Sequence, residues 1–87
     1  MNGYIMRVTG FTGVYRNDDM PTKVDAHGNN VAFLCNYCGH PILAIILDHQ
    51  RGSSEEKPAV CLGCKEHFVV TGDEKNEKIL ISNIPKL

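Results

Sequence analysis

The four cysteines of this 87-residue chain fall into two pairs of identical spacing, Cys35-Asn36-Tyr37-Cys38 and Cys61-Leu62-Gly63-Cys64, with 22 residues between Cys38 and Cys61. A Cys-x-x-Cys turn aims two sulfurs in one direction, and two such turns supply the four soft donors that a tetrahedral zinc ion prefers. Cys35, Cys38, Cys61 and Cys64 are therefore the candidate ligands of one structural zinc ion. The spacer is long enough for a two-stranded excursion that brings the second pair back beside the first. Four thiolates complete the tetrahedron and leave no position for water or substrate, so such a site holds structure and does not hydrolyse anything.

A single domain of this length buries only roughly 60% of the surface its unfolded chain exposes. Structural zinc binds with an apparent free energy of about 10–16 kcal/mol, as large as the whole stability of an ordinary domain. Folding and metallation are thus expected to be coupled. Four ionised thiols and one divalent cation add a net −2 to the formal charge of −1. Most of the nine Lys and Arg residues are sequence neighbours of acids, as in Lys57 after Glu55 and Glu56 or Lys75 and Lys78 among Glu74 and Glu77. That pattern predicts a mixed surface and not a phosphate-binding stripe. The segment from Met1 to Arg7 lacks the charged leader and unbroken apolar run of a secretory signal, and the longest apolar run, 42–47, is far too short to cross a bilayer. Paired Cys-x-x-Cys motifs in that setting predict a reducing, cytoplasmic location.

Along the chain the patterning predicts an all-β domain of about six short strands. Residues 1–30 divide into a hairpin over 4–15, bent at Gly10 and Gly13, and a polar loop over 16–30. A core over 31–71 holds the strand Val31 to Leu34, an apolar segment Ile42 to Leu47, a loop over 48–58, a return strand at Ala59-Val60 and a strand at Phe68-Val69-Val70. Pro41 at its start and Gly52 beyond its end would also suit a short helix over 42–47, but three isoleucines in six residues favour a strand. In 72–87, after a turn at Thr71-Gly72-Asp73, a last strand Ile79-Leu80-Ile81 is expected to end at Asn83 and Pro85.

Gly39 follows Cys38 where a cysteine turn often needs positive φ, whereas the equivalent position after Cys64 is Lys65. The run Cys35-x-x-Cys38-Gly39, apolar strand, polar tip, return strand, Cys61-x-x-Cys64 and strand through Phe68 resembles the zinc ribbon family over about residues 31–71. The resemblance implies the same four ligands and a structural role. Zinc ribbons occur in transcription factors, polymerase subunits, ribosomal proteins, enzyme appendages and small regulatory proteins, so it does not choose a function.

Other uses of the cysteines have weaker grounds. A redox pair needs a helix-opening motif and leaves one pair unexplained; two disulfides need an oxidising compartment; a rubredoxin-type iron site shares the donors, and spacing does not separate it from zinc. His40 and His67 lie close enough to the pairs to replace a sulfur, but four cysteines make that unnecessary, and His27 and His49 read as solvated. Asp18, Asp19 and Asp25 lack the regular oxygen spacing of a calcium loop.

No catalytic residues and no organic cofactor site are expected: there is no nucleophile elbow, phosphate-cradling glycine loop or HExxH motif. The expected function is a non-catalytic protein-interaction or regulatory module that displays its 48–58 tip, its acidic 16–30 loop or an unpaired strand edge to a partner. By analogy, that partner is a nucleic-acid-processing protein that it binds or inhibits. The alternative is a nucleic-acid-binding zinc ribbon of transcription, which the charge pattern disfavours.

Overall fold

The computed structural model of the chain describes residues 7–84, which contain strands and turns and no helix. The strands are β1 (Thr12–Tyr15), β2 (Met20–Thr22), β3 (Val24–His27), β4 (Asn30–Leu34), β5 (Pro41–Ile45), β6 (Ala59–Val60), β7 (His67–Asp73) and β8 (Lys78–Ile84). They form a five-stranded sheet ordered β2-β1-β8-β7-β6 and a three-stranded sheet ordered β3-β4-β5. The pair β1–β8 is parallel, with Val14 opposite Leu80, and every other pair is antiparallel. The chain changes sheet twice, between β2 and β3 at Lys23 and along 46–58 between β5 and β6.

Side chains on a strand alternate between faces, so every second residue can enter a core shared by two sheets. Tyr15 on β1, Phe68 and Val70 on β7, and Ile79 and Ile81 on β8 enter it from the larger sheet. Val31 and Phe33 on β4 and Ile42 and Ala44 on β5 enter it from the smaller one. Three rings tie the layers together edge to face: Phe33 lies 5.7 Å from Phe68, and Tyr15 lies 6.2 Å from each. That arrangement sets the positive edge of one ring against the negative face of the next and adds roughly 0.5–1.5 kcal/mol per pair beyond the area buried. The Tyr15 hydroxyl donates to the Leu34 carbonyl, next to the first cysteine.

Residues 16–30, expected to be a polar loop, instead hold β2, β3 and the start of β4. A turn at 16–19, with Asp19 at φ 55°, folds β2 onto β1, and the pair Gly28-Asn29 joins β3 to β4 with His27 opposite Asn30. The outward residues Lys23, Asp25 and His27 mask the alternation of Val24 and Ala26, and a two-residue Gly-Asn link is itself a hairpin signal. Of the hairpin expected over 4–15, residues 4–6 lie outside the described residues, but β1 spends its two edges on β2 and β8 and Gly13 lies inside it; only Gly10, at φ 88°, bends the chain ahead of β1.

The apolar segment 42–47 is a strand over its first part, but only one face is buried: Ile42 and Ala44 point in while Leu43 is 47% exposed. It does not pair with the return strand β6. β5 folds back onto β4, so the expected two-stranded excursion between the cysteine pairs is replaced by two separate hairpins, β4–β5 and β6–β7, one in each sheet. Thr71-Gly72-Asp73 is not a turn either, because β7 runs on to Asp73 with Gly72 opposite Ile79. The chain reverses at 74–77, where the Asp73 carboxylate accepts from the Asn76 side chain (2.8 Å) and N–H (3.3 Å), and these bonds, the side-chain one foremost, hold its pKa below the usual range. Asn83 does not end the last strand, which continues to Ile84; Pro85 lies outside the described residues.

Burial, with the Cys35 sulfur next in weight, raises the Tyr15 phenol above its ordinary pKa of 10.0. A phenol whose folded pKa is raised contributes stability that is fully present below about pH 10 and is lost as pH climbs toward the folded value, because only the unfolded chain then ionises. Tyr15→Phe is expected to cost about 1 kcal/mol at pH 7 through the lost bond to Leu34. It should also flatten the alkaline fall in stability seen in denaturant titrations at pH 9 to 11; equal slopes for the two proteins would contradict the assignment.

Candidate metal centre

Each cysteine pair is the loop of one hairpin, and the two loops are built alike. In the first, the Cys35 N–H bonds the His40 carbonyl at 2.9 Å and the Gly39 N–H bonds the Cys35 carbonyl at 2.9 Å. In the second, the Cys61 N–H bonds the Glu66 carbonyl at 2.9 Å and the Lys65 N–H bonds the Cys61 carbonyl at 2.8 Å. The residue after each second cysteine is left-handed, Gly39 at φ 79° and Lys65 at φ 68°. Glycine adopts that conformation freely, while a residue with a Cβ is strained there by roughly 1–2 kcal/mol. Lys65 thus takes the conformation that its place in the turn demands.

The four sulfurs converge, all within 4.8 Å of one another. Two approaches run across the hairpins, Cys35 to Cys64 at 3.6 Å and Cys38 to Cys61 at 3.5 Å. Four thiolates at about 2.3 Å from a central zinc ion lie about 3.8 Å apart along each edge of their tetrahedron. The cluster is therefore positioned to bind a metal ion and compatible with zinc. Cys35 and Cys61 are buried, Cys64 is half-buried and Cys38 is exposed, so the site sits at the margin of the core.

Backbone donors grade the sulfurs. The Tyr37 N–H points at the Cys35 sulfur at 3.4 Å. Burial pushes the Cys61 thiol up, but the N–H groups of Cys64 and Gly63 and the contact with Cys38 outweigh it and bring the group down to about 6. Cys64 is drawn down by the Glu66 N–H, yet desolvation and the sulfurs of Cys35, Cys61 and Cys38 carry it up to about 12. The His40 N–H likewise draws Cys38 down, and contact with Cys61 and desolvation still raise it. Close thiols cannot all ionise together; a divalent cation among them removes that conflict.

Neither His40 nor His67 belongs to the sulfur cluster. The His40 ring turns to the Pro41 carbonyl, 2.8 Å from Nδ1, and His67 opens β7. His27 Nε2 lies 2.9 Å from the Asp25 carboxylate on the exposed face of β3, His49 is exposed in the 48–58 loop, and Asp18 and Asp19 are turn residues. Two other residues matter more than their place in the sequence suggests. Gly63 passes so close to the first loop that a Cβ there would lie 2.9 Å from the Cys38 sulfur and 3.0 Å from the His40 Cβ. Asn83 joins both loops: its Oδ1 accepts from the Tyr37 hydroxyl at 2.9 Å, and its Nδ2 donates to the His67 carbonyl at 2.9 Å and the Glu66 carboxylate at 3.3 Å. Gly63, inside a Cys-x-x-Cys unit, carried a readable hint of close packing; Asn83 carried none.

Lys65→Gly should stabilise the metal-loaded protein by about 1 kcal/mol in urea unfolding by relieving the left-handed backbone; no change or a loss would show that the lysine side chain outweighs the strain. Gly63→Ala is expected to lower metal affinity roughly tenfold or more in competition with a chromogenic chelator, since the new methyl displaces Cys38. Unchanged affinity would contradict the close approach.

No protein-family model, curated protein or solved structure matches the chain, and the functional reading rests on the chemistry of the site itself.

Proposed function

We propose that the chain is a zinc-ribbon-like module in which Cys35, Cys38, Cys61 and Cys64 hold one structural zinc ion, and that it works by presenting a rigid surface to a protein partner. The observation that carries this reading is the convergence of four sulfurs from two hairpins of two different sheets. A four-sulfur zinc shell is closed, so the ion is a staple and the module acts without catalysis. Four thiols without a disulfide suit a reducing compartment such as the cytoplasm, and no helix among the described residues is long and apolar enough to cross a membrane.

Binding to a protein fits the surface better than binding to nucleic acid. Tyr15, Phe33 and Phe68, half of the chain's six aromatic residues, are spent in the core and cannot stack on bases. Regulation of a basic nucleic-acid-processing protein is the form of this reading that the mildly acidic charge suggests by analogy.

Metal analysis of protein purified under reducing conditions is expected to give one zinc per chain and four thiols unreactive toward a disulfide reagent until chelator is added. Two disulfides by mass would overturn the reading. Mixed duplex DNA and RNA at low salt should show no mobility shift at micromolar protein; a tight, salt-sensitive shift would favour the nucleic-acid alternative.

A further inference from the structure

We propose that the groove between β5 and β6 is a docking site for an extended segment of a partner protein in which apolar side chains stand beside a carboxylate. The proposal rests on the reading of the chain as an interaction module and names the surface and the chemistry of its partner.

The groove has a volume of about 400 Å³ and is lined by Pro41, Leu43, Arg51, Pro58, Val60 and Leu62 together with Ile42. Its walls are the edge strand of the smaller sheet, β5, and the edge strand of the larger, β6. Leu62 is 70% exposed, and Leu43 and Val60 are also open to solvent. Leu62 has no freedom to turn inward, because it sits between Cys61 and Gly63 in the second cysteine turn, where Gly63 is pressed against the first. The apolar surface continues over Pro41 to Leu34, its exposed partner across the ladder. A continuous exposed apolar strip of this kind marks an interaction site, whereas single exposed residues do not.

The backbone on both walls is open. The Ile45 N–H bonds the Arg51 carbonyl on the side away from β4, and alternation along an antiparallel strand turns the Leu43 N–H and C=O to that same side. On the other wall the Cys61 N–H bonds Glu66 toward β7, so the Val60 N–H and C=O turn away from β7 and toward the groove. Among the described residues no strand pairs with either edge there. Unpaired edges with alternating side-chain pockets recognise extended peptide.

Charge selects the peptide. Arg51 is the one charged residue lining the groove, and among the described residues no carboxylate lies within salt-bridge distance of it. An apolar trough with one unanswered guanidinium suits a carboxylate set among apolar side chains. Nucleic acid requires several cations spaced along phosphates, and the groove offers one.

A displayed library of random short peptides, selected on the metal-loaded full chain, tests this. Enriched sequences are expected to carry Asp or Glu next to Leu, Ile, Val or Phe. A synthetic copy should shift the amide resonances of Leu43, Val60 and Leu62, and Arg51→Glu or Leu62→Asp should weaken it roughly tenfold or more. Both positions are exposed, so each variant should keep its metal and its melting curve, and that is checked first. Absence of enrichment, enrichment of basic or uncharged sequences, or undiminished binding by metal-loaded Leu62→Asp overturns the proposal. It is equally overturned by concentration-dependent dimerisation through the groove, or by peptide binding that appears only after residues 1–6 or 85–87 are removed, since a second copy or the chain's own end is then the occupant. If Cys61→Ser loses its metal yet still binds the peptide, the zinc-platform reading fails and the groove stands; if only the groove variants bind as the parent does, the reverse holds.

Discussion

The contacts that bind this molecule together cross from one sheet to the other: the Cys35 sulfur meets that of Cys64 and the Cys38 sulfur meets that of Cys61. Neither hairpin alone owns a site, since each contributes two donors to a shell that needs four. Sulfurs held 3.5–3.6 Å apart repel one another once ionised, so their convergence makes physical sense around a cation and little sense without one. Zinc at such a site contributes about 10–16 kcal/mol near neutral pH, more than a core of this size supplies by itself.

The rest of the architecture is arranged outward from that sulfur cluster. The two loops fix the ends of β4, β5, β6 and β7, and just inside them Phe33 and Phe68 face each other with Tyr15 closing the triangle. The Tyr15 hydroxyl reaches back to the Leu34 carbonyl beside Cys35, and Asn83 of β8 reaches to both loops. Core, last strand and metal turns are one connected unit, in which each part limits the motion of the others. The same turns have a surface consequence: with Gly63 packed against Cys38 and His40, Leu62 stands 70% exposed at the mouth of the open groove.

Much of the site was legible because metal ligation leaves a local signature. The spacing of the cysteine pairs, the need for positive φ after each second cysteine and the conflict at Lys65 are all properties of a few adjacent residues, and the structure shows them together. The all-β class was legible for a similar reason, in short alternating runs such as Phe68 to Val70 and Ile79 to Ile81. What escaped depends on which strand pairs with which. β3 hid behind its charged outer face, and β5 was expected to meet β6, whereas its hydrogen bonds go to β4. Pairing is decided by the sheet as a whole, through turn geometry and shared burial, and no single segment states it. Asn83 resembled a strand end because asparagine favours turns; its side chain instead serves Tyr37 and Glu66 in the two cysteine loops and His67 on β7.

The claim that one ion joins the two hairpins is tested most directly by stripping the metal with a high-affinity chelator under reducing conditions and recording amide NMR spectra and thermal melts before and after. The account predicts that the dispersed spectrum and the cooperative transition are lost together and that one equivalent of zinc restores both. A chelated protein that keeps its spectrum and melts at the same temperature would contradict it.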